Sequence, residues 1–415
     1  MTESPQKKDP FHALRYPEFR NYIISRFFFI LVLNMQATLI SWKVYDLTKD
    51  PFSIGLIGLV EFVPAFFMAF YSGHVIDKSD KRNLLFRSVI GNLVLTGILC
   101  FFTTDYAVSA FPQAWLLLSI YFVVFGIGIL RSFSGPTSFA LVSQLVPKNL
   151  LANATIWHSG SWQVGAVTGP ALAGILYASI GITYTFYLML LLMSIAVAGL
   201  LFIKPKPFLG ERRQEKIIES IRQGFRFVWR TREVLGALSL DLFAVLFGGA
   251  TALLPVFADQ ILKVGPQGLG MLRSAPALGS VLVLVLLTFR PLHKNQGRLM
   301  LLCVAGFGLC IITFGLSDIF WLSLIALFFS GLLDGISVIV RSTILQLKTP
   351  DEMRGRVAAL NSIFIMSSNE LGAFESGLAA RLLGTVPAVV FGGGMTLAVV
   401  IYTWIKAPTL RKLQY

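Results

Sequence analysis

The sequence predicts an all-α integral membrane protein that crosses the bilayer twelve times. Three observations carry that prediction. The 415 residues are 55% hydrophobic and 13% charged, with a mean hydropathy of +0.73, against roughly 25% charged residues in soluble domains. The apolar residues gather into runs of about 20 or more, the length a helix needs to span a hydrocarbon core ~30 Å thick. Lys and Arg collect in alternate turns between those runs.

In chain order the runs fall at about 19–45, 53–75, 84–104, 113–143, 150–178 and 183–203, then 234–258, 267–290, 297–317, 319–345, 355–382 and 386–406. Short polar turns separate all of them except the sixth and seventh. The chain therefore divides into a first set of six spans over 1–203, a linker over 204–232 and a second set over 233–415. In the linker Ile217, Ile218, Ile221, Phe225, Val228 and Trp229 share one helical face, and Arg222, Arg226 and Arg230 share another. That pattern suits an amphipathic helix lying on the inner leaflet and tethering the two sets.

The net charge of +14 is placed by topology. Basic residues crowd the N-terminus (Lys7, Lys8, Arg15, Arg20), the turn after span two, the linker, Arg290, Lys294 and Arg298, the turn before span eleven, and Arg411 and Lys412. The opposite turns hold few. Both termini and the linker are thus expected in the cytoplasm, with anionic lipid rather than nucleic acid facing the basic side. The first run is too long for the apolar core of a secretion signal, and no small-residue cleavage site follows it. Cys100, Cys303 and Cys310 all lie within apolar runs, which suits packing and offers neither a disulfide framework nor a metal site.

Charges inside the runs are the candidates for function, because each costs roughly 3 kcal/mol at mid-membrane unless paired or wetted. Span one holds Arg26 about 10 Å deep at 1.5 Å per residue, where it either snorkels to headgroups or joins a wet site. Span two carries Glu61 one turn before Pro64, and span four carries Arg131 ahead of Gly135-Pro136, which is expected to break that long helix. Span five reads Gly165-x3-Gly169-Pro170-x3-Gly174, a spacing that lets helix backbones touch. Trp157, His158, Trp162 and Gln163 form a polar-aromatic group near its start. Span eleven adds Glu370 and Glu375 beside Gly372 and Gly377.

The second half faintly repeats the first. A shift of 203 sets Arg131 against Asp334, Pro147 against Pro350, Gly169 against Gly372 and Gly174 against Gly377; a shift of 215 sets Arg26 against Asp241 and Pro51 against Pro266.

After span two the chain reads Gly73-x3-Asp77-Lys78-x2-Lys81-Arg82. This resembles the loop motif of the major facilitator superfamily, with Ser79-Asp80 departing from its usual pattern. The glycine–proline pattern of span five resembles the antiporter motif of that superfamily, and Arg131 matches its span-four arginine. The phrases GLIGLVEFVPA, ANATIWHSGSWQVGAVTGPALAGILY and TPDEMRGRVAALNS are similar to the branch holding siderophore exporters and drug–proton antiporters. The resemblance implies two pseudo-symmetric six-helix bundles, a bacterial inner-membrane location, and a cavity lined by spans one, four, seven and ten. It implies a monomeric secondary transporter without cofactor, moving an amphipathic organic molecule outward against protons. Import, lysophospholipid movement and membrane sensing are the rivals. No Walker loop, nucleophile elbow or metalloprotease motif suggests an enzyme or ATP-driven pump.

On those four spans the expectation is that Arg26 meets Asp241 and Arg131 meets Asp334 across one wet chamber. Arg341, two turns beyond Asp334 on the same face, forms its inner edge. A carboxylate that exchanges an arginine for a proton would couple the cycle, with Asp334 first in order, then Asp241, then Glu61; Glu370 is a further coupling candidate. The bland alternative is that these charges only latch the halves. Asp77 is expected to latch to Arg354 and Arg356 at the start of span eleven.

Overall fold

The computed structural model describes residues 10–206, 217–289, 295–350 and 353–414. Lys7, Lys8, Arg290, Lys294 and the stretch 207–216 fall outside them, as do the side chains of Asp77, Ile217, Ile218 and Ile221.

The first half consists of α1 (Pro17–Thr48), α2 (Pro51–Lys78), α3 (Lys81–Phe102), α4 (Gln113–Leu145), α5 (Leu151–Ile180) and α6 (Ile182–Leu201). The linker helix is α7 (Ile217–Arg230). The second half consists of α8 (Arg232–Phe247), α9 (Gly265–Phe289), α10 (Gln296–Leu316), α11 (Phe320–Lys348), α12 (Arg354–Leu383) and α13 (Thr385–Lys406). Among the described residues eleven segments are long and apolar enough to cross a membrane, counting α8 together with the turns that carry it on to Ile261. The twelfth, α12, has 30 residues but is diluted by Asn361, Asn369, Glu370 and Glu375.

Local chemistry sets the helix ends. The Asp50 carboxylate accepts from Phe52 N at 3.0 Å and Asp80 from Asn83 N at 2.8 Å, so acidic N-caps open α2 and α3. Pro51 at the first helical position needs no N–H partner. The turns also show the duplication that the residues only hint at. Gly181 between α5 and α6 has φ +82°, and Gly384 between α12 and α13 has φ +93°, 203 positions apart. With ψ of 169° and 158° both lie where a side chain is strongly disfavoured. Lys49 and Lys263 close the first and seventh spans with φ 49° and 54°.

The structure corrects one expectation. Gly135-Pro136 does not break α4, which is a single α-helix of 33 residues with Pro136 inside it. One missing N–H removes one backbone bond, and the turns on either side hold the helix together. The broken span is the seventh. There α8 ends at Gly248-Gly249, and a 3-10 turn at Ala250–Leu253 and a π turn at Phe257–Ile261 complete the crossing. The break admits α12, whose Gly372 backbone lies 3.1 Å from where a Gly249 Cβ would stand.

Within the first half α1 packs on α5 and α6, while α2 and α3 pack on α4; in the second, α9 and α10 pack on α11, and α8 on α12 and α13. The halves join along α2–α12 and α5–α9. A methyl on Gly55 would stand 3.0 Å from Gly377 Cα, and methyls on Gly174 and Gly270 would each meet a proline carbonyl of the facing helix at 2.5 Å. Around these crossings Trp42, Tyr45 and Ile54 share a core with Leu253, Phe257 and Leu269 of the other half. Lys49–Asp259 at 3.3 Å and Asp50–Arg381 at 4.0 Å rim it.

These joining contacts, as far as the described residues go, lie on the side of mid-membrane away from the termini. Toward the terminus-bearing face, among the described residues, the buried cores stay within single halves, Leu141, Leu145 and Leu150 in one and Val234, Leu345 and Val357 in the other. The halves close at one face and part toward the other.

Candidate functional site

Where the contact between halves ends, Arg131 of α4 holds two carboxylates. Its Nη1 donates to Glu61 Oε1 at 2.6 Å and to Glu370 Oε1 at 2.7 Å. Glu61 belongs to the same half, on α2; Glu370 belongs to the other half, on α12. Small residues make the meeting possible. Gly128 of α4 lies against the Glu61 carbonyl, and a methyl there would come within 2.9 Å of Pro64 Cγ. Gly58 of α2 lies against the Glu370 carbonyl. With those two side chains absent, three helix backbones approach closely enough for one guanidinium nitrogen to serve both acids. The Arg131 side chain stays 49% exposed while Glu61 and Glu370 are 20% and 14% exposed, so the cation faces the parting between the halves and the carboxylates sit behind it.

A second arginine completes the group. Arg273 of α9 donates through Nη1 to Ser41 Oγ at 3.0 Å and to the Ala37 carbonyl at 3.3 Å, both on α1 of the opposite half. Glu370 and Glu61 lie within its electrostatic reach. Arg131, Glu61 and Glu370 thus form a charge cluster from α2, α4 and α12 across the seam, and Arg273 of α9 crosses the same seam onto α1.

Neither expected cross-pairing occurs. Arg131 meets Glu61 and Glu370 rather than Asp334, which makes no hydrogen bond or ion pair among the described residues. Arg26 donates from Nη1 to Ser138 Oγ at 2.7 Å and from Nε to the His158 carbonyl at 3.2 Å, inside its own half. Asp241 pairs with Arg341 of α11 inside the other half, both nearly excluded from solvent. Positions related by a two-fold axis stand on opposite walls, so equivalence in sequence does not bring them together; glycine-mediated crossings decide which charges meet.

Among the loop-motif residues, Lys81 donates to the Ile76 carbonyl that ends α2, and Arg82 donates to the Leu200 and Ile203 carbonyls at 3.1 and 3.0 Å. Both cap helix C-termini, where unpaired carbonyls favour a cation. Lys78 is exposed. Arg356 donates to Gln223 Oε1 of α7 at 2.6 Å, fastening the linker helix to the start of α12; neighbouring Arg354 is exposed. The expected partner Asp77 lies outside the described side chains. Gly165 and Gly169 bring α5 onto Ile30, Leu31 and Asn34 of α1, while Pro170 and Gly174 bring it onto α9.

Arg273 escaped the reading of the residues. A signal for it exists: a shift of 212 sets GLVEFVPA (58–65) against GMLRSAPA (270–277). Glycine, proline and alanine coincide, and a charge stands between them in both, Glu61 in one half and Arg273 in the other.

Twelve spans in two pseudo-symmetric halves, meeting at a charged seam, define a membrane transporter. Residues 22–373 match the Major Facilitator Superfamily, and the chain belongs to it. The enterobactin exporter EntS of Escherichia coli is 24% identical over 384 residues, covering 92% of this chain and 90% of that protein; EntS of Shigella boydii matches to the same extent. Among solved structures, the nucleoside transporter NupG superposes with a TM-score of 0.71 at 13% identity, covering 94% of this chain and 99% of that one. A bacterial homologue of the human lysosomal transporter Spinster, in an inward-facing and unoccupied conformation, gives 0.63 at 16%, covering 94% and 96%.

Proposed function

We propose that this transporter exports an amphipathic organic solute from the cytoplasm by exchange for protons. The single observation that supports coupling is the sharing of one Arg131 nitrogen between Glu61 and Glu370, an intra-half and an inter-half carboxylate. When Glu370 takes a proton, its ion pair with Arg131 becomes a hydrogen bond from a cation to a neutral carboxyl, and the charge–charge attraction across the seam is lost. The seam between α4 and α12 then loosens, and Glu61 keeps a counter-charge on the arginine. Releasing that proton on the other side restores the clasp. Glu370 therefore stands ahead of Asp334 as the proton carrier, and the export direction follows the relatives named as exporters. Termini in the cytoplasm would make the observed parting an inward-facing one.

Proteoliposomes with an imposed pH gradient test this, using a panel of labelled siderophores and lipophilic cations. Gradient-driven movement of a panel member, abolished by a protonophore, is expected for the native chain. Glu370→Gln should retain counterflow but lose gradient-driven accumulation by at least tenfold. Accumulation indifferent to the protonophore, or undiminished in Glu370→Gln, would remove the coupling assignment.

A further inference from the structure

At the terminus-bearing end of the second half two guanidinium groups stand over one indole. The Arg298 Cζ lies 5.9 Å from the centre of the Trp404 ring, and the Arg411 Cζ lies 5.3 Å from it. Apolar anchors and one glycine set this arrangement. Leu410 and Leu413 are buried in a core with Ala237, Leu240 and Met300. Gly297 leaves room for the Leu410 carbonyl, and its amide donates to the Leu413 carbonyl at 3.3 Å. Arg411, between those two anchors, is thereby held beside α13, and Arg298 follows the same glycine in α10.

No carboxylate pairs with either cation among the described residues. Neither α10 nor α13 contains Asp or Glu, and the adjoining stretches 290–295 and 407–415 contain none either. Glu233, in the first turn of α8, forms no ion pair among the described residues. Exposed Lys406 and Lys412 add further positive charge. Arg298 donates no hydrogen bond among the described residues, and Arg411 makes one long contact, 3.5 Å from Nη1 to the Trp404 carbonyl. Contact with a ring face orients a guanidinium but leaves the N–H donors in its plane free. Two like charges held this way repel, and an oxyanion between them removes that cost while filling the donors.

What adjoins the cations decides the source of that oxyanion. Leu302 and Leu309 follow Arg298 by four and eleven residues on one face of α10, and both are exposed. Ile401 and Ile405 flank Trp404 on α13 and are exposed too. In a bilayer-spanning helix such faces meet acyl chains, and a tryptophan at the helix end sits at headgroup depth. We infer that Arg298, Trp404 and Arg411 form a binding site for an anionic phospholipid. Its phosphate meets the two guanidinium groups, and its acyl chains lie along α10 and α13. The site rests on the membrane-spanning fold and stands apart from the proposed proton exchange.

Native mass spectrometry of the full chain, released from mixed phosphatidylcholine and phosphatidylglycerol, tests the assignment. A C-terminal tag keeps any carboxylate at Tyr415 away from the site. The native chain should retain phosphatidylglycerol in preference to phosphatidylcholine. Arg298→Gln with Arg411→Gln should lower that preference at least fivefold, since each surface arginine contributes roughly a fivefold factor toward anionic lipid. Removing equal charge elsewhere on the same face, in Arg222→Gln with Arg226→Gln, should leave it within about twofold. Trp404→Leu, which keeps both charges and frees their orientation, should weaken retention about two- to fivefold and serves if the arginine pair variant fails to fold. Inorganic phosphate in solution should not displace the lipid. The inference is overturned by equal retention of the two lipids, by a preference unchanged in the Arg298 and Arg411 variant or in Trp404→Leu, by an equal loss in the Arg222 and Arg226 variant, or by displacement with phosphate.

Discussion

One nitrogen of Arg131 serves two masters, and the consequences differ by which is removed. Replacing Arg131 with Gln leaves two carboxylates facing each other across the seam without a cation, apart from Arg273 nearby. Transport is expected to fall at least a hundredfold, and Lys at the same position to recover part of it, as measured by counterflow. The Asp241–Arg341 pair makes a different prediction because it is nearly fully buried within one half. Asp241→Asn or Arg341→Leu alone strands a buried charge and should cost about 3–5 kcal/mol, read as a lower melting temperature. The double replacement Asp241→Leu with Arg341→Met should recover most of that loss; equal damage from single and double variants would argue against a mainly electrostatic role.

The helices meet through positions with no side chain, and that governs what can be read from the chain and what can be tested. A Cβ on Gly58 would strike the Glu370 carbonyl, so Gly58→Val should force α2 from α12 and disfavour closure of the face away from the termini. Cysteines at Asp50 and Arg381, whose charged tips now stand 4.0 Å apart, should then be bridged several-fold less by a bifunctional thiol reagent of about an arginine's length than in the native background. Gly181 and Gly384 make a second prediction at this scale. Alanine at either should cost roughly 1–3 kcal/mol because of the backbone conformation alone, with no neighbour displaced at Gly181. Span number and boundaries within a few residues were legible because apolar run length and basic turns report directly on crossing a bilayer. The intact α4 and the broken seventh span were not, since proline and glycine mark sites where a helix is able to break and packing decides whether it does.

At the scale of the whole molecule, Glu61, Arg131 and Glu370 were legible as charges inside apolar runs, yet their partners were not. They stand out singly because ionised groups in apolar runs are rare. Which of them meet depends on helix crossings set by Gly58 and Gly128, and Arg273 becomes visible only when the two proline-bearing spans are laid over each other. The rim pairs Lys49–Asp259 and Asp50–Arg381 are solvent-accessible, so each contributes little and is screened by salt. Replacing Lys49 and Arg381 together with Gln should shift the balance between the two openings by less than tenfold, measured as accessibility of a cysteine in the cleft. A larger shift would mean that the rim, rather than the packed glycine crossings, holds that face shut.

Counted as ionised side chains, Glu61, Arg131, Arg273 and Glu370 together carry no net formal charge. If Glu370 is the residue that takes the proton, the loaded carrier gains one positive charge as it turns, and an uncharged passenger does nothing to offset it. The cycle would then draw on membrane voltage as well as on acidity, and turnover should register as a current on a supported bilayer even with equal pH on both sides.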